Sequence, residues 1–430
     1  MNLRICVLFL TIVALDPVAL RGQAPNSWLG TGADDLWSNP DNWLYGVVPG
    51  NSTSNPNTQW DDPDGAFYPL TPDPSDDLPL GNNNAFLDLP GGTTLIDASV
   101  TAAAYGVRVG GNRGAPATLE ITGGTLYVGT DPNADPAANA VGWHLDIGRG
   151  FNASGDPNST QRVVMSGGTV ITNGLLIPEQ FVDDSLPDPT DSEPLNGELV
   201  MSAGTINARW MNLGQLKGNG TALLSGDAAI NIASNVAGDP ANGGELSFNR
   251  DWFVDGLPVP SSGNVHLDVS ENALITIFGH ESDTIVSPDQ NELDRYLGHV
   301  DTHELTAWGG TAAPVITLVT DQGPAFITIE APTVPGDYNN DGVVNAADST
   351  VWRDNLGDAV SLNGENPAAT TPGVVDQEDY DYWQDNFALT AADVAPLPPL
   401  ASATSIPEPA GWLLLAGCLM LRTFRRQRPR

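Results

Sequence analysis

Residues 117–129, ATLEITGGTLYVG, set the pattern on which most of this chain is built. Leu119 and Ile121 alternate with polar neighbours, which predicts a strand with one buried face. Gly123 and Gly124 follow, and glycine adopts without steric cost the positive φ that a tight corner requires. Aliphatic residues alternate again beyond the pair, so the stretch predicts two short strands joined at a glycine corner.

The block recurs along the chain. Related stretches are residues 162–172 (RVVMSGGTVIT), 198–208 (ELVMSAGTINA), a worn copy at 265–277 (VHLDVSENALITI) and an earlier echo at 90–96 (PGGTTLI). The corners begin at Gly91, Gly123, Gly167 and Ala203, and a second motif lies between them as VRVG at 107–110, LDIG at 145–148 and MNLG at 211–214. Repeated glycine-bounded strands predict a mainly β, parallel β-solenoid over residues 85–331. An antiparallel β-sandwich would also accommodate such strands.

The N-terminus has the features of a secretory signal. Arg4 supplies a positive charge, residues 5–15 are apolar, and Gly22-Gln23-Ala24 places small residues at a cleavage site. We therefore expect residues 1–24 to be a signal peptide, because the apolar run is shorter than the roughly 20 residues that span a bilayer.

The C-terminus combines Pro407-Glu408-Pro409, an apolar run over 410–421 and an arginine cluster up to Arg430. This order resembles the PEP-CTERM sorting signal of exported bacterial proteins. The resemblance implies transient retention in the inner membrane with the arginines inside. It also implies cleavage by an exosortase and transfer to the cell surface or the extracellular polysaccharide matrix. The alternative is an ordinary tail anchor.

The chain is strongly acidic. Its 430 residues include 53 acids and 16 bases, and residues 25–409 alone hold 52 acids and nine bases, a net charge of −43. Such a surface excludes nucleic acid as a partner and attracts divalent cations. Cys6 and Cys418 both lie in the removable ends, so we expect the mature protein to have no disulfide.

Three tryptophans, Trp28, Trp37 and Trp43, dominate the start of the mature chain. Their spacing (W-x-G, then W-S-x-P-x-N-W, then G-x-x-P) resembles the opening segment of bacterial extracellular β-repeat proteins related to autotransporter passengers. The rings could form a sugar-stacking platform. We favour a plug over the open end of the repeat stack, because a terminal repeat must hide its core.

The end of the repeat region has a different pattern. We predict a helix over residues 287–295 with Ser287 as N-cap and Pro288 at its first position. Strands are expected at 305–308, 315–320 and 325–330, before a linker at 332–335. The histidines at 299 and 303 and the nearby His280-Glu281 pair have a metal-like density but lack helical H-E-x-x-H spacing, so we expect a turn rather than a metal site.

One stretch carries a strong chemical motif: residues 337–348, DYNNDGVVNAAD. The spacing is that of a calcium loop, in which oxygen ligands recur at fixed positions and Gly342 permits the sharp turn. The predicted calcium ligands are Asp337, Asn339, Asp341, the Val343 carbonyl, Asn345 and Asp348. Asn345 is also expected to cap a following helix.

Residues 373–387 (GVVDQEDYDYWQDNF) repeat residues 342–356 (GVVNAADSTVWRDNL) at an offset of 31. Two such loop–helix segments, within residues 336–388, resemble a dockerin type I module, which implies a small two-helix domain folded by calcium. Such modules dock onto cohesins or act as calcium-stabilised parts of secreted polysaccharide-related proteins. The second copy has Ala368, Thr370 and Pro372 where ligands are expected, and keeps only Asp376 and Asp379 as weak ligands. We therefore favour the stabilising role.

The predicted organisation is a signal peptide (1–24), an aromatic cap and loop (25–84), a β-repeat domain (85–331), a linker (332–335), a dockerin-like module (336–389), a second linker (390–405) and a sorting segment (406–430). The favoured function is an exported, surface- or matrix-associated structural or adhesive protein. Its expected cofactor is calcium, and its expected partner is a polysaccharide or a cohesin-like domain. The alternative is a secreted polysaccharide lyase or glycoside hydrolase, or a carbohydrate-binding subunit, for which the sequence identifies no catalytic residues.

Overall fold

A computed structural model describes residues 26–43, 48–49, 84–87, 92–104, 106–110, 116–128, 144–150, 159–180, 194–233, 244–250, 252–254, 257–259, 261–278, 288–321 and 325–399. The expected signal peptide, most of the loop over 51–84, the His280-Glu281 pair, both cysteines and the sorting segment lie outside these residues. Within them, no helix has the length and apolar character needed to cross a bilayer.

The chain is mainly β, with parallel sheets. Its strands are β1 (Asn26–Ser27), β2 (Asn84–Leu87), β3 (Thr93–Ile96), β4 (Thr101–Ala104), β5 (Gly106–Val109), β6 (Thr118–Ile121), β7 (Thr125–Val128), β8 (Leu145–Ile147), β9 (Arg149–Gly150), β10 (Thr160–Thr172), β11 (Leu175–Ile177), β12 (Glu179–Gln180), β13 (Asn196–Ala208), β14 (Trp210–Gln215), β15 (Asn219–Ile232), β16 (Glu245–Arg250), β17 (Trp252–Val254), β18 (Leu257–Val259), β19 (Val265–Val269), β20 (Leu274–Ile277), β21 (Leu305–Ala307), β22 (Val315–Val319) and β23 (Phe326–Glu330). The helices are a 3-10 turn (Pro40–Asn42), α1 (Gln290–Asp301), α2 (Ala346–Asp354), α3 (Gln377–Asp385) and α4 (Ala391–Val394).

Two sheets run side by side, and the chain visits them alternately. In the described residues the shorter sheet has the order β1-β2-β5-β8-β11-β14-β16, and every neighbouring pair is parallel. The larger sheet contains the bent strands β10, β13 and β15, with β6 and β7 on one side and β19 and β20 on the other. Up to β16, each passage through the larger sheet is thus followed by one through the shorter sheet, whereas β19, β20, β21, β22 and β23 all belong to the larger sheet.

The core lies between the sheets and follows the predicted alternation. Leu119 and Ile121 on β6 are fully buried, while Thr118 and Glu120 are partly exposed. The same positions on β10 carry Val163 and Met165, on β13 Leu199 and Met201, and on β15 Ala222 and Leu224, all at most 1% exposed. Burial of each larger aliphatic side chain contributes about 1.5–3 kcal/mol relative to exposure. The aliphatic rows therefore supply the main stabilisation.

The glycine corners stack on one another. Thr169 follows the corner of β10 and pairs with Thr125 below it and Thr205 above it. Gly168 has a φ of +79°, and a Cβ atom there would lie 2.6 Å from the carbonyl oxygen of Gly123. At Gly204 the φ is +94°, and a Cβ would lie 2.8 Å from the carbonyl oxygen of Gly167. The corners are therefore in register, and successive backbones are too close for a side chain between them.

Two details of the expected repeat were wrong. The Gly-Gly-Thr at 91–93 is not a corner, because the strand that follows it, β3, pairs with β6, which itself precedes a corner. The next strand, β4, pairs with β7, so the first described corner lies between them at residues 97–100. A full repeat at β15 (NGTALLSGDAAINI) was missed, although it pairs along almost its whole length with β13. Opposite the corner triplet Ala203-Gly204-Thr205 it carries Asp227-Ala228-Ala229, and one extra residue precedes Asp227, which hides the resemblance.

The tryptophan segment covers the first strands of both sheets. Trp28 N donates to the carbonyl of Phe86 on β2 (2.9 Å), and Trp37 N donates to that of Leu95 on β3 (2.8 Å). The three indoles are 1–2% exposed. Those of Trp28 and Trp37 make edge contacts with Trp43, with ring centroids 5.1 and 4.9 Å apart. Buried rings cannot stack on a sugar, so the geometry supports the plug interpretation.

The opposite end changes from parallel to antiparallel pairing. β23 pairs antiparallel with both β20 and β22. Helix α1 covers the last strand of the shorter sheet, where the Tyr296 hydroxyl donates to the carbonyl of Leu246 (3.2 Å). The predicted start of this helix was wrong, because Asp289, not Ser287, caps it by accepting from the amides of residues 291 and 292. The helix also continues to Asp301, so His299 lies on it and only His303 on a turn.

The corner stack makes a testable prediction. Gly168→Ala should destabilise the protein through the positive φ, about 1–2 kcal/mol, and through collision with Gly123, about a further 1–3 kcal/mol. The matched control is Gly310→Ala, where φ is +78° but no atom lies within 4 Å of the added Cβ. Urea denaturation of both variants measures the difference, and equal losses would contradict the close stacking.

Candidate calcium site

The candidate loop follows the linker after β23 and leads into α2. Asn345 caps α2 by accepting from the amide of Ala347 (2.7 Å), and Asp348 completes a capping box by accepting from the amide of Asn345 (2.7 Å). Gly342 has a φ of +82°, which suits the sharp turn expected at the sixth position of a calcium loop. The loop is therefore folded by its own side chains.

Asp337 and Asp348 form the buried side of the loop, and both residues are fully buried. The two oxygens of Asp337 accept from the amides of Asp341 (3.1 Å) and Gly342 (2.7 Å). Asp348 Oδ1 accepts from the amide of Asn339 (3.0 Å). The carboxylates at the first and last positions thus hold the loop backbone around them.

The other predicted ligands meet at Asp341. Its Oδ2 lies 2.8 Å from the Asn339 side-chain nitrogen and 3.4 Å from that of Asn345, which is itself 3.0 Å from the Val343 carbonyl oxygen. A half-turn of the Asn339 amide would present its oxygen to the same point. Asn345 uses its oxygen for the helix cap, so it would reach an ion through water, as the ninth position of such loops often does.

Burial raises the pKa of Asp337 from 3.8 to about 6, against the lowering effect of the two amides, and the nearby Asp348 and Asp341 carboxylates raise it further. Burial and the neighbouring negative charges both disfavour the ionised form of Asp337. A bound divalent cation would favour the ionised form instead, because it neutralises the clustered charge and takes the place of the proton.

The ligand set itself remains a prediction. Over the part of the chain that the structure describes, no three His, Cys, Asp or Glu side chains lie close enough together to hold a metal ion by themselves. A calcium loop draws several of its oxygens from amides, a main-chain carbonyl and water. The fit therefore depends on the six groups jointly: three carboxylates, two amides and one carbonyl.

The second loop is built differently from the expected register. Asp376 caps α3, and Asp379 accepts from the amide of Asp376 (2.9 Å), as in the first loop. The glutamate Glu365 accepts from the amide of Gly373 (2.6 Å), which is the role of Asp337 towards Gly342. Glu365 therefore stands where Ala368 was expected, and a three-residue insertion had hidden it. The acid after Asn363-Gly364 is the signal that could have found it.

Asp379 differs from its counterpart Asp348 in one respect. Asp379 is 3% exposed, and its Oδ1 atom is buried without a hydrogen-bond partner. Burial raises the pKa of Asp379, and the charges of Asp376 and Glu365 add to this effect. Asp379 thus lies close to an acid that the sequence motif did not indicate, Glu365.

The two loop–helix segments support each other reciprocally. The indole of Trp352 on α2 donates to the carbonyl of Asp376 (2.6 Å), and that of Trp383 on α3 donates to the carbonyl of Asn345 (2.8 Å). Each helix therefore fixes the N-cap of the other. The 31-residue repeat in the sequence reflects this internal two-fold relation.

The remaining candidates have structural partners. His299 Nδ1 lies 2.6 Å from Glu304 Oε2, and its ring stacks on Phe248. His303 Nε2 donates to the carbonyl of Pro398 (2.8 Å). His266 on β19 contacts Thr306 Oγ1 at 2.8 Å and is only partly exposed. None of these three histidines joins a second histidine in the described geometry.

Asp337 makes the stability of the metal-free protein pH-dependent. In chelator, folded Asp337 holds a proton between pH 4 and about 6 that the unfolded chain has already released, so stability should fall as pH rises through this window. The loss is on the order of 2–3 kcal/mol. Asp337→Asn should remove this component, whereas Asp354→Asn on the exposed end of α2 should keep it. Urea denaturation at pH 4, 5, 6 and 7 tests this, and identical pH profiles for wild type and Asp337→Asn would contradict it.

Comparison of the chain with protein-family models, with curated proteins and with solved structures finds no match.

Proposed function

We propose that this chain is an exported structural or adhesive protein of the cell surface or extracellular matrix. In this proposal the two parallel sheets are the walls of a β-solenoid, and residues 336–389 are a dockerin-like module stabilised by calcium. The resemblance of residues 406–430 to a PEP-CTERM signal supports sorting by an exosortase through a transient membrane anchor. The apolar run after Arg4 supports export.

The stacked corners are the observation that carries the proposal. Thr125, Thr169 and Thr205 follow one another in register, and the glycines before them allow backbone contact between successive passages. The strands of the shorter sheet follow the same order, so that Val107, Leu145, Leu175 and Met211 pair one after another although the intervals between them differ. A solenoid accounts for both observations, because each coil contributes one passage to each wall.

A structural role also accounts for the contacts made by the tryptophans, by Arg108 and by the loop carboxylates. The tryptophans that could have stacked on a sugar are buried in the cap. Arg108, a basic residue on β5, places its guanidinium 4.3 Å from the centroid of the Phe86 ring. The carboxylates of Asp337 and Asp348 in the candidate loop accept hydrogen bonds from backbone amides.

A polysaccharide assay separates this proposal from the enzymatic alternative. Residues 25–409 are incubated with acidic and neutral polysaccharides, with calcium or with chelator. We expect binding or no interaction, without new reducing or unsaturated ends. Appearance of such ends would refute the structural role and favour a lyase or a glycoside hydrolase.

The calcium assignment has its own test. Calcium should raise the melting temperature of wild-type residues 25–409, and Asp341→Ala should abolish the rise because it removes the oxygen on which the other ligands converge. Asp354→Ala removes the same charge from an exposed acid that pairs with Arg353, outside the loop, and should keep the rise. Differential scanning calorimetry measures both variants, and an unchanged response of Asp341→Ala would refute the assignment.

A further inference from the structure

The candidate calcium loop is also a contact surface within the protein. The carbon of Gly342 faces the indole of Trp308, and a Cβ atom on that glycine would lie 2.7 Å from Trp308 Cε3. Asn340, two residues earlier, donates from its side chain to Asn272 Oδ1 in the turn between β19 and β20 (3.0 Å). The fourth and sixth positions of the loop therefore rest on the last part of the β-repeat region.

Trp308 is held out towards the loop by a built turn. It has a φ of +54°, and the two glycines after it also have positive φ. The buried carboxylate of Asp268 on β19 accepts from the amides of Gly309 (2.9 Å) and Gly310 (2.8 Å) and from the hydroxyl of Thr306 (2.6 Å). The Trp308 indole donates to the carbonyl of Pro332 (3.2 Å). The platform under the loop is therefore anchored in the repeat strands themselves.

A second connection returns from the loop to the β region. Ala391 N donates to the carbonyl of Gly342 (2.9 Å), and the chain then runs back so that Ala313 N donates to the carbonyl of Ala395 (2.8 Å). Val334, Val344 and Ala391 belong to the same buried cluster as the strands. The loop backbone is thus enclosed between the Trp308 turn and this returning segment.

We propose that the calcium loop is the docking surface through which the C-terminal module closes the end of the repeat stack, so that ion binding and docking are thermodynamically linked. The inference rests on the calcium site proposed above. An ion held by Asp337, Asp341 and the Val343 carbonyl fixes the backbone on both sides of Gly342, and this is the backbone that contacts Trp308. By reciprocity, docking on Trp308 strengthens ion binding by the same factor.

Linkage requires that damage to the platform weaken calcium binding, although no ligand is altered. In residues 25–409, Trp308→Ala should weaken calcium affinity about 5-fold or more, within the range typical of coupled sites. Asn272→Ala removes the hydrogen bond from Asn340 and one to Asp227 within the repeat strands (3.2 Å), and it should weaken calcium affinity by a smaller factor. Trp210→Ala is the matched control, because this tryptophan packs against His144 in the repeat stack and should leave affinity unchanged.

Hydrogen exchange supplies an independent readout. Calcium should slow amide exchange in peptides that cover residues 305–312 as well as in the loop, and Trp308→Ala should confine the protection to the loop and its helices. Unchanged calcium affinity in both Trp308→Ala and Asn272→Ala, together with protection confined to residues 336–395 in the wild type, would overturn the linkage while leaving the calcium site intact. Absence of any calcium binding by the wild type would overturn the site and the linkage together.

Discussion

The close approach of successive backbones at the glycine corners is the constraint on which the rest of the structure depends. At Gly168 and Gly204 the backbone is too close to the preceding corner for a Cβ atom to fit between them. Each passage of the chain must therefore repeat the path of the last one. The inward positions of β6, β10, β13 and β15 then fall above one another and bury continuous aliphatic rows. The number of residues between successive corners is uneven, so the connections between the strands differ in length.

Both ends of this stack need elements that do not repeat. At one end, three buried tryptophans lie in a segment that bonds to the first strands of both sheets. At the other, the direction of pairing reverses at β20 and β23, and α1 covers Leu246. The loop–helix segments add a further layer, since Trp308 bridges the last repeat strands and the candidate ion loop. The acidic loop thus lies at a junction rather than at the end of an independent tail.

Much of the fold could be predicted because its rules are local. Alternation around Leu119 depends only on neighbouring residues, as do the positive φ of Gly124 and the cap at Asn345. Register is not local, and the Gly-Gly-Thr at 91–93 resembled a corner although only pairing with β6 shows where it belongs. The cap of α1 was misplaced because Ser287 and Asp289 are both suitable, and the choice depends on contacts of the following turn.

In the candidate site, too, the local features could be predicted from the sequence and the non-local ones could not. The residue spacing within 337–348 was sufficient to predict the first loop. The carboxylates of Asp337 and Asp348 do accept hydrogen bonds from the backbone of this loop. Glu365 was not predicted because the second loop has three more residues than the first, so Glu365 does not fall at the 31-residue offset. Only the contact with the Gly373 amide shows that it corresponds to Asp337. Trp308 was not predicted because its role comes from a contact between residues 34 positions apart, which no motif records.

The dissimilar terminations have a consequence for how such a chain can assemble and change. A parallel stack with bare ends would be a template on which further molecules could add and grow into fibres. Here the indole cluster lies against the first strands, and β23 pairs antiparallel with β20 at the other end, so the two ends are dissimilar and do not continue each other's parallel pairing. A change in the number of interior strand repeats would therefore leave both terminations in place.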